Sequence, residues 1–194
     1  FCTMYPEYVK KLISISSGYK LSTLQTLHNL EQAYILDLGR ESNNRNNEYL
    51  SLARMVAHKT YISLELLSNR AKSETLYDDD LIKGFLSTPQ ESYMMHQGEK
   101  FIERFTPESY LSIIKGWQNF KIEQEDLNKL KDIETLVISV DSDVCFYPDE
   151  QKDFLAVLNN HEINTKYTTI NSTKGHDSFL LEPELFEDTL KNFL

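Results

Sequence analysis

The chain has 194 residues, 40% of them hydrophobic and 26% charged, with a formal net charge of −10 at pH 7. That length and composition permit a medium globular domain with a sizeable core, with or without an insertion. The acidic balance, with no basic stripe to neutralise phosphates, disfavours a nucleic-acid partner, and no apolar run approaches the roughly 18 residues a bilayer span requires. Cys2 and Cys145 are the only cysteines and have no metal-ligand spacing. Two thiols without a secretory signal fit a reducing compartment, so the expected location is the cytoplasm.

In chain order, Phe1–Glu7 reads as the end of a helix running into a turn. A domain that opens in mid-helix is expected to be a piece of something longer. Val9–Ser16 reads as a strand. Ser22 is placed to cap a helix over Thr23–Leu38, with Leu24, Leu27, Leu30, Ala33 and Leu38 at helical spacing and Gly39 closing it. After a polar loop, Glu41–Asn47, a long helix is expected over Glu48–Ala71, and its spacing sets Arg54, His58 and Tyr61 on one face. Lys72–Pro89 is a loop with an acidic run, Asp78–Asp80, that lacks the ligand ladder of an EF-hand. Two more helices follow, Gln90–Phe105 and Pro107–Phe120, the second opened by Thr106-Pro107-Glu108. Their aromatic residues fall at core spacing. Successive helices with no strand between them divide the chain into an all-helical insertion over 22–120, a lid, and a core formed by 1–21 and 121–194.

From Leu127 a strand–helix alternation resumes. Leu136–Val140 is an apolar run with hardly any alternation, as expected of a parallel strand covered on both faces. It breaks into Asp141-Ser142-Asp143. A helix over Asp149–Asn160 and a strand over Thr165–Ile170 lead to Gly175-His176-Asp177, and a closing helix covers Glu182–Leu194. Asp143 and His176 therefore lie just past the carboxyl ends of neighbouring strands, where α/β sheets build their sites. A carboxylate followed one βαβ unit later by a histidine is the order in which an α/β-hydrolase supplies acid and base. The fold class that follows is α/β, the C-terminal part of an α/β-hydrolase fold: a parallel sheet with flanking helices, interrupted by the lid.

His176 is suited to general-base work because imidazole titrates near neutrality. Asp143 would orient the ring and stabilise the imidazolium. Asp141 competes for that role but sits closer to the strand end. The nucleophile is missing: no Gly-x-Ser-x-Gly elbow occurs in the sequence, and Ser16, Ser17 and Ser142 lack a tight glycine-flanked turn. In the order Ser…Asp…His, the serine and its oxyanion hole would precede residue 1. On this reading the residues alone are chemically incomplete. Arg54, if its helix face overhangs the sheet edge, is suited to a bidentate grip on a carboxylate.

Several separate motifs carry a family likeness. Gly175-His176-Asp177-Ser178-Phe179-Leu180-Leu181-Glu182, Leu52–Tyr61, Ser92-Tyr93 with Gln97–Phe101 and Arg104-Phe105, Ser109-Tyr110-Leu111, and Ser142-Asp143 with Phe146 and Pro148 together resemble the homoserine O-acetyltransferases. The likeness runs from Tyr5-Pro6 to the end, and Ser178 stands where that family commonly has alanine. The resemblance implies a ping-pong transfer of acetyl from acetyl-CoA, through an acyl-serine, to the hydroxyl of homoserine in methionine biosynthesis. It implies no metal and no cofactor beyond acetyl-CoA as co-substrate. By matching position, Asp143 and His176 would be the triad acid and base. Arg54 would hold the homoserine carboxylate, with Tyr61 and Asp177 placing its amine and hydroxyl. The helical lid would provide a homodimer contact. The alternatives are an esterase of the same fold, and a helical dimerisation fragment without catalysis.

Overall fold

A computed structural model of the protein describes residues 1–41, 45–71 and 88–194. The acidic run Asp78–Asp80 lies outside the described residues. In chain order the elements are β1 (Lys11–Ile15), α1 (Thr23–Glu41), α2 (Asn46–His58), α3 (Leu64–Arg70), α4 (Pro89–Ile102) and α5 (Pro107–Gln118). After these come α6 (Gln124–Leu127), β2 (Glu134–Val140), α7 (Pro148–Asn160), β3 (Thr165–Ile170), α8 (Ser178–Leu181) and α9 (Glu184–Phe193). Among the described residues no helix is long and apolar enough to cross a membrane.

The chain divides into two compact units: Phe1–Ser22, Thr60–Ser63 and Phe120–Leu194 form one, Thr23–Lys59 and Leu64–Asn119 the other. In the first, β1, β2 and β3 are parallel and adjacent in that order, with Ile13 opposite Leu136 and Ile138 opposite Thr168. Central β2 is buried from Thr135 to Val140 because both of its faces are covered. Successive strand side chains point to opposite faces, so a doubly covered strand is apolar at most positions, and the buried Thr135 and Ser139 hydroxyls are hydrogen-bonded. On one face Leu12, Val137 and Tyr167 pack with Leu127, Leu130, Ile133, Phe154, Leu158 and Ile163. On the other, Ile13, Ile15, Leu136, Ile138, Val140 and Ile170 pack with Phe186, Leu190 and Phe193. Fully buried side chains such as Ile138 and Leu158 each stabilise the unit by about 2 kcal/mol.

The helical unit gathers Leu36, Leu50, Ala53, Phe101, Tyr110, Leu111 and Ile114 into its own core. Thr106 caps α5 as its sequence anticipates: Pro107 occupies the first turn and the Thr106 hydroxyl accepts from the Ser109 N–H at 3.2 Å. Thr88 caps α4 in a reciprocal box with Glu91.

Four local expectations change. The helix anticipated over Glu48–Ala71 is two helices, α2 and α3, separated by Thr60–Ser63. Tyr61 consequently does not share a helix face with Arg54 and His58. The break follows from backbone bonding to the sheet unit: the Ser63 N–H donates to the Lys174 carbonyl at 3.3 Å, and the Tyr61 carbonyl accepts from the Asp177 N–H at 2.9 Å. Gly39 does not end α1, which continues to Glu41 with Gly39 buried against Tyr49. Leucines 24, 27, 30 and 38 of α1 are exposed, whereas Gln25, Asn29, Gln32 and Leu36 are buried. Finally, the closing helix begins at Glu184, just after Pro183, rather than at Glu182, and the short helix α8 precedes it.

Candidate active site

The site is assembled where β2 and β3 end. The chain leaves β2 in a tight turn, with the Asp143 N–H donating to the Val140 carbonyl at 3.2 Å. Asp143 is 1% exposed. Its Oδ1 accepts the backbone N–H groups of Cys145 and Phe146, each at 2.8 Å, and its Oδ2 lies 2.9 Å from His176 Nδ1. A short acidic side chain that bonds the backbone two and three residues ahead is how Asp stabilises such turns. Here the same bonds satisfy a carboxylate that would otherwise be expensive to bury. With Oδ1 occupied by two donors, Oδ2 accepts the hydrogen bond from Nδ1–H and leaves Nε2 as the acceptor. Asp141, the competing carboxylate, is exposed and accepts instead from the Ser172 N–H at 2.9 Å.

His176 lies in the short helical turn Gly175–Asp177. Its ring is stacked on Phe146, with centroids 5.4 Å apart and planes at 23°, and meets Phe179 edge-on at 5.6 Å. These two rings and the Asp143 bond restrict imidazole rotation, and the side chain remains 18% exposed. The turn is tied to the preceding loop by Ser142, whose hydroxyl donates to the Ser172 carbonyl and accepts from the Gly175 N–H at 3.0 Å. Gly175 has φ +76°, and a Cβ there would come within 2.5 Å of the Ser63 nitrogen. Only glycine permits that backbone conformation and that approach together.

Sequence reasoning missed Ser142 as a tie and Phe146 and Phe179 as walls of the imidazole. A usable signal existed, since each aromatic stands three positions beyond the acid or the base it serves. Cys145 is not an alternative nucleophile: burial, and then the charge of Asp143, push its thiol up to about 12, so the thiolate is not formed. Ser142 is committed to backbone bonds. Ser14 and Ser17 bond each other at 2.7 Å.

The remaining candidates fall in both units. Asp177 and Tyr61, each half-buried, stand in the sheet unit and are linked through the Asp177 N–H and Tyr61 carbonyl. Arg54 stands on α2 in the helical unit, its guanidinium 4.9 Å over the Phe101 ring. His58, on the same helix, is packed in that unit with its ring 5.9 Å from Tyr93. Its pKa is lowered to about 4, first by burial and then by the charges of Arg54 and Arg70.

No protein-family model matches the chain. A homoserine O-acetyltransferase of Methanosalsum zhilinae is 34% identical over 98% of the chain, which spans 41% of that relative's length. The solved structure of a homoserine O-acetyltransferase from Bacillus anthracis matches 99% of the chain with a TM-score of 0.83 at 15% identity, the chain covering 55% of it. The structure of esterase E22 matches 99% of the chain with a TM-score of 0.84 at 14% identity, and 56% of its length is covered. At such identities the structural likeness speaks for the fold. The sequence likeness bears out the resemblance carried by the motifs. Over 98% of its own residues the chain is similar to part of a homoserine O-acetyltransferase, and its architecture is part of an α/β-hydrolase fold.

Proposed function

We propose that this chain supplies the acid–base half of an acyl-CoA-dependent homoserine acyltransferase, with the serine nucleophile and oxyanion hole carried by residues outside it. The observation that carries the reading is the 2.9 Å pairing of His176 Nδ1 with the buried Asp143 carboxylate. This pairing leaves Nε2 as the base. In the first half-reaction Nε2 takes the serine hydroxyl proton as the serine oxygen attacks the thioester carbonyl. The acyl group passes from sulfur to oxygen and the proton goes to the departing CoA thiolate. In the second half-reaction Nε2 takes the proton of the homoserine hydroxyl, which attacks the acyl-serine, and returns it to the serine oxygen. Asp143 stabilises the imidazolium in both.

Acetyl-CoA and homoserine as substrates and a place in methionine biosynthesis follow from the family resemblance, and a cytoplasmic location from the two thiols without a secretory signal. The roles of Arg54 on the homoserine carboxylate and of Tyr61 and Asp177 on its amine and hydroxyl also follow from the resemblance. A homodimer through the helical unit is supported by α1, which exposes Leu24, Leu27, Leu30, Tyr34 and Leu38. The reading is tested by CoA release from acetyl-CoA in the full-length protein. Release should require homoserine and be lost in His176→Ala. Homoserine-independent ester cleavage that survives Arg54→Ala would assign the protein to the esterases of this fold instead.

A further inference from the structure

We propose that Thr60–Ser63 is the positioning element for His176, with Ser63 as its principal side chain. The turn bearing His176 is bracketed by this segment. Before the histidine, Ser63 takes two successive carbonyls: its hydroxyl donates to Thr173 and its N–H donates to Lys174 at 3.3 Å. After the histidine, the Asp177 N–H donates to the Tyr61 carbonyl at 2.9 Å. Backbone held on both sides of residue 176 fixes the direction of its Cα–Cβ bond. Asp143, Phe146 and Phe179 then need only select the ring rotation.

Two further observations favour a positioning role over ordinary loop packing. The segment and the turn touch backbone to backbone, since a Cβ on Gly175 would meet the Ser63 nitrogen at 2.5 Å and the Ile62 carbonyl carbon at 2.9 Å. The segment also interrupts a helical pattern that the sequence would otherwise carry from Glu48 to Ala71, and the four residues released join the sheet unit. Two of the residues that depart from the pattern, Tyr61 and Ser63, bond the histidine turn or the loop leading to it. Ser63 itself is 8% exposed, so its hydroxyl bond is not exchanged for water.

This inference rests on the reading of His176 as the base, and the experiment separates the two. In the full-length protein, the low-field proton resonance of His176 Nδ1–H bonded to Asp143 is read without substrate, and CoA release is read with it. Ser63→Ala should broaden or shift that resonance and lower kcat by ~10-fold while KM changes little, because misplacing a base costs rate rather than binding. Ser63→Thr, which restores the hydroxyl, should recover both. Ser112→Ala, which removes an exposed hydroxyl bonded to the Glu108 carbonyl in α5, should change neither. If Ser63→Ala does not fold, Ser63→Cys weakens the donor at similar volume and is read in the same way. A melting temperature lowered by Ser63→Ala with the resonance and kcat unmoved would overturn the proposal. A resonance that responds in a protein with no homoserine-dependent CoA release would overturn the acyltransferase reading and leave the positioning role standing.

Discussion

The two units bury polar groups in different ways. At the sheet's carboxyl edge one connected set of polar groups is satisfied: Asp143 with Cys145, Phe146 and His176, Ser142 with Ser172 and Gly175, and, further back on the sheet, Ser139 with Tyr167 and Thr169, while the buried Ser16 and Ser178 hydroxyls have no hydrogen-bond partner among the described residues. In the helical unit, α1 buries Gln25, Asn29 and Gln32 beside Leu36 while Leu24, Leu27, Leu30 and Leu38 face out. Gln32 accepts from the Tyr110 hydroxyl, but neither amide atom of Asn29 has a hydrogen-bond partner among the described residues. The exposed positions Leu24, Leu27, Tyr34 and Leu38 stand three, seven and four apart, with the charged Glu31 at the intervening position. The sheet unit encloses a preorganised polar site. The helical unit carries a helix that buries Leu36 beside three amide side chains and leaves four leucines and Tyr34 exposed.

Three substitutions sharpen or break that contrast. The largest effect is expected at Gly175→Ala. A Cβ at φ +76°, pressed against the backbone of Ile62 and Ser63, should cost about 3 kcal/mol of stability, which a denaturant melt would register. A fall below about 1 kcal/mol would mean the turn and the segment are less rigidly joined than their geometry implies.

The second lies in the helical unit and depends on pH. The pKa of His58 is lowered from its usual 6.5 to about 4, so the folded protein resists charging it more than the unfolded chain does. The associated stability is fully present above pH 6.5 and is lost as pH falls from about 6.5 to 4, because the unfolded state then binds the extra proton. The loss is at most ~3 kcal/mol. In paired denaturant titrations at pH 7 and pH 4.5, His58→Leu should lose less stability than the parent over that interval. Equal losses would place His58 in a more solvated setting.

The smallest effect concerns α1. Asn29→Leu removes an amide buried at 1% exposure and should raise stability by about 1 kcal/mol. A loss of similar size would show that the amide has a partner beyond the described residues.

Much of the sheet unit was legible because its signals are local. A run such as Leu136–Val140, apolar at all but Ser139, has few alternatives to a doubly covered parallel strand, and β2 is the central strand. Asp143 and His176 could be paired on paper because a βαβ connection brings the ends of consecutive parallel strands side by side. The helical unit was less legible. Period 3.6 marks where the apolar side of α1 lies but not whether that side turns inward, and period alone ran straight through Thr60–Ser63.

What the sequence by itself determined is the order of strands and helices, the acid-then-base spacing and the family likeness, because each depends on neighbouring residues or on their separation along the chain. Only the tertiary structure decided that the chain breaks after His58 to bracket the histidine turn, that Phe146 and Phe179 wall the imidazole, and that α1 presents Leu24, Leu27, Leu30 and Leu38 to the outside while burying Leu36. Those features are set by backbone and side-chain contacts between segments more than one hundred positions apart, in the case of Ser63 and Lys174, or between faces that periodicity cannot tell apart.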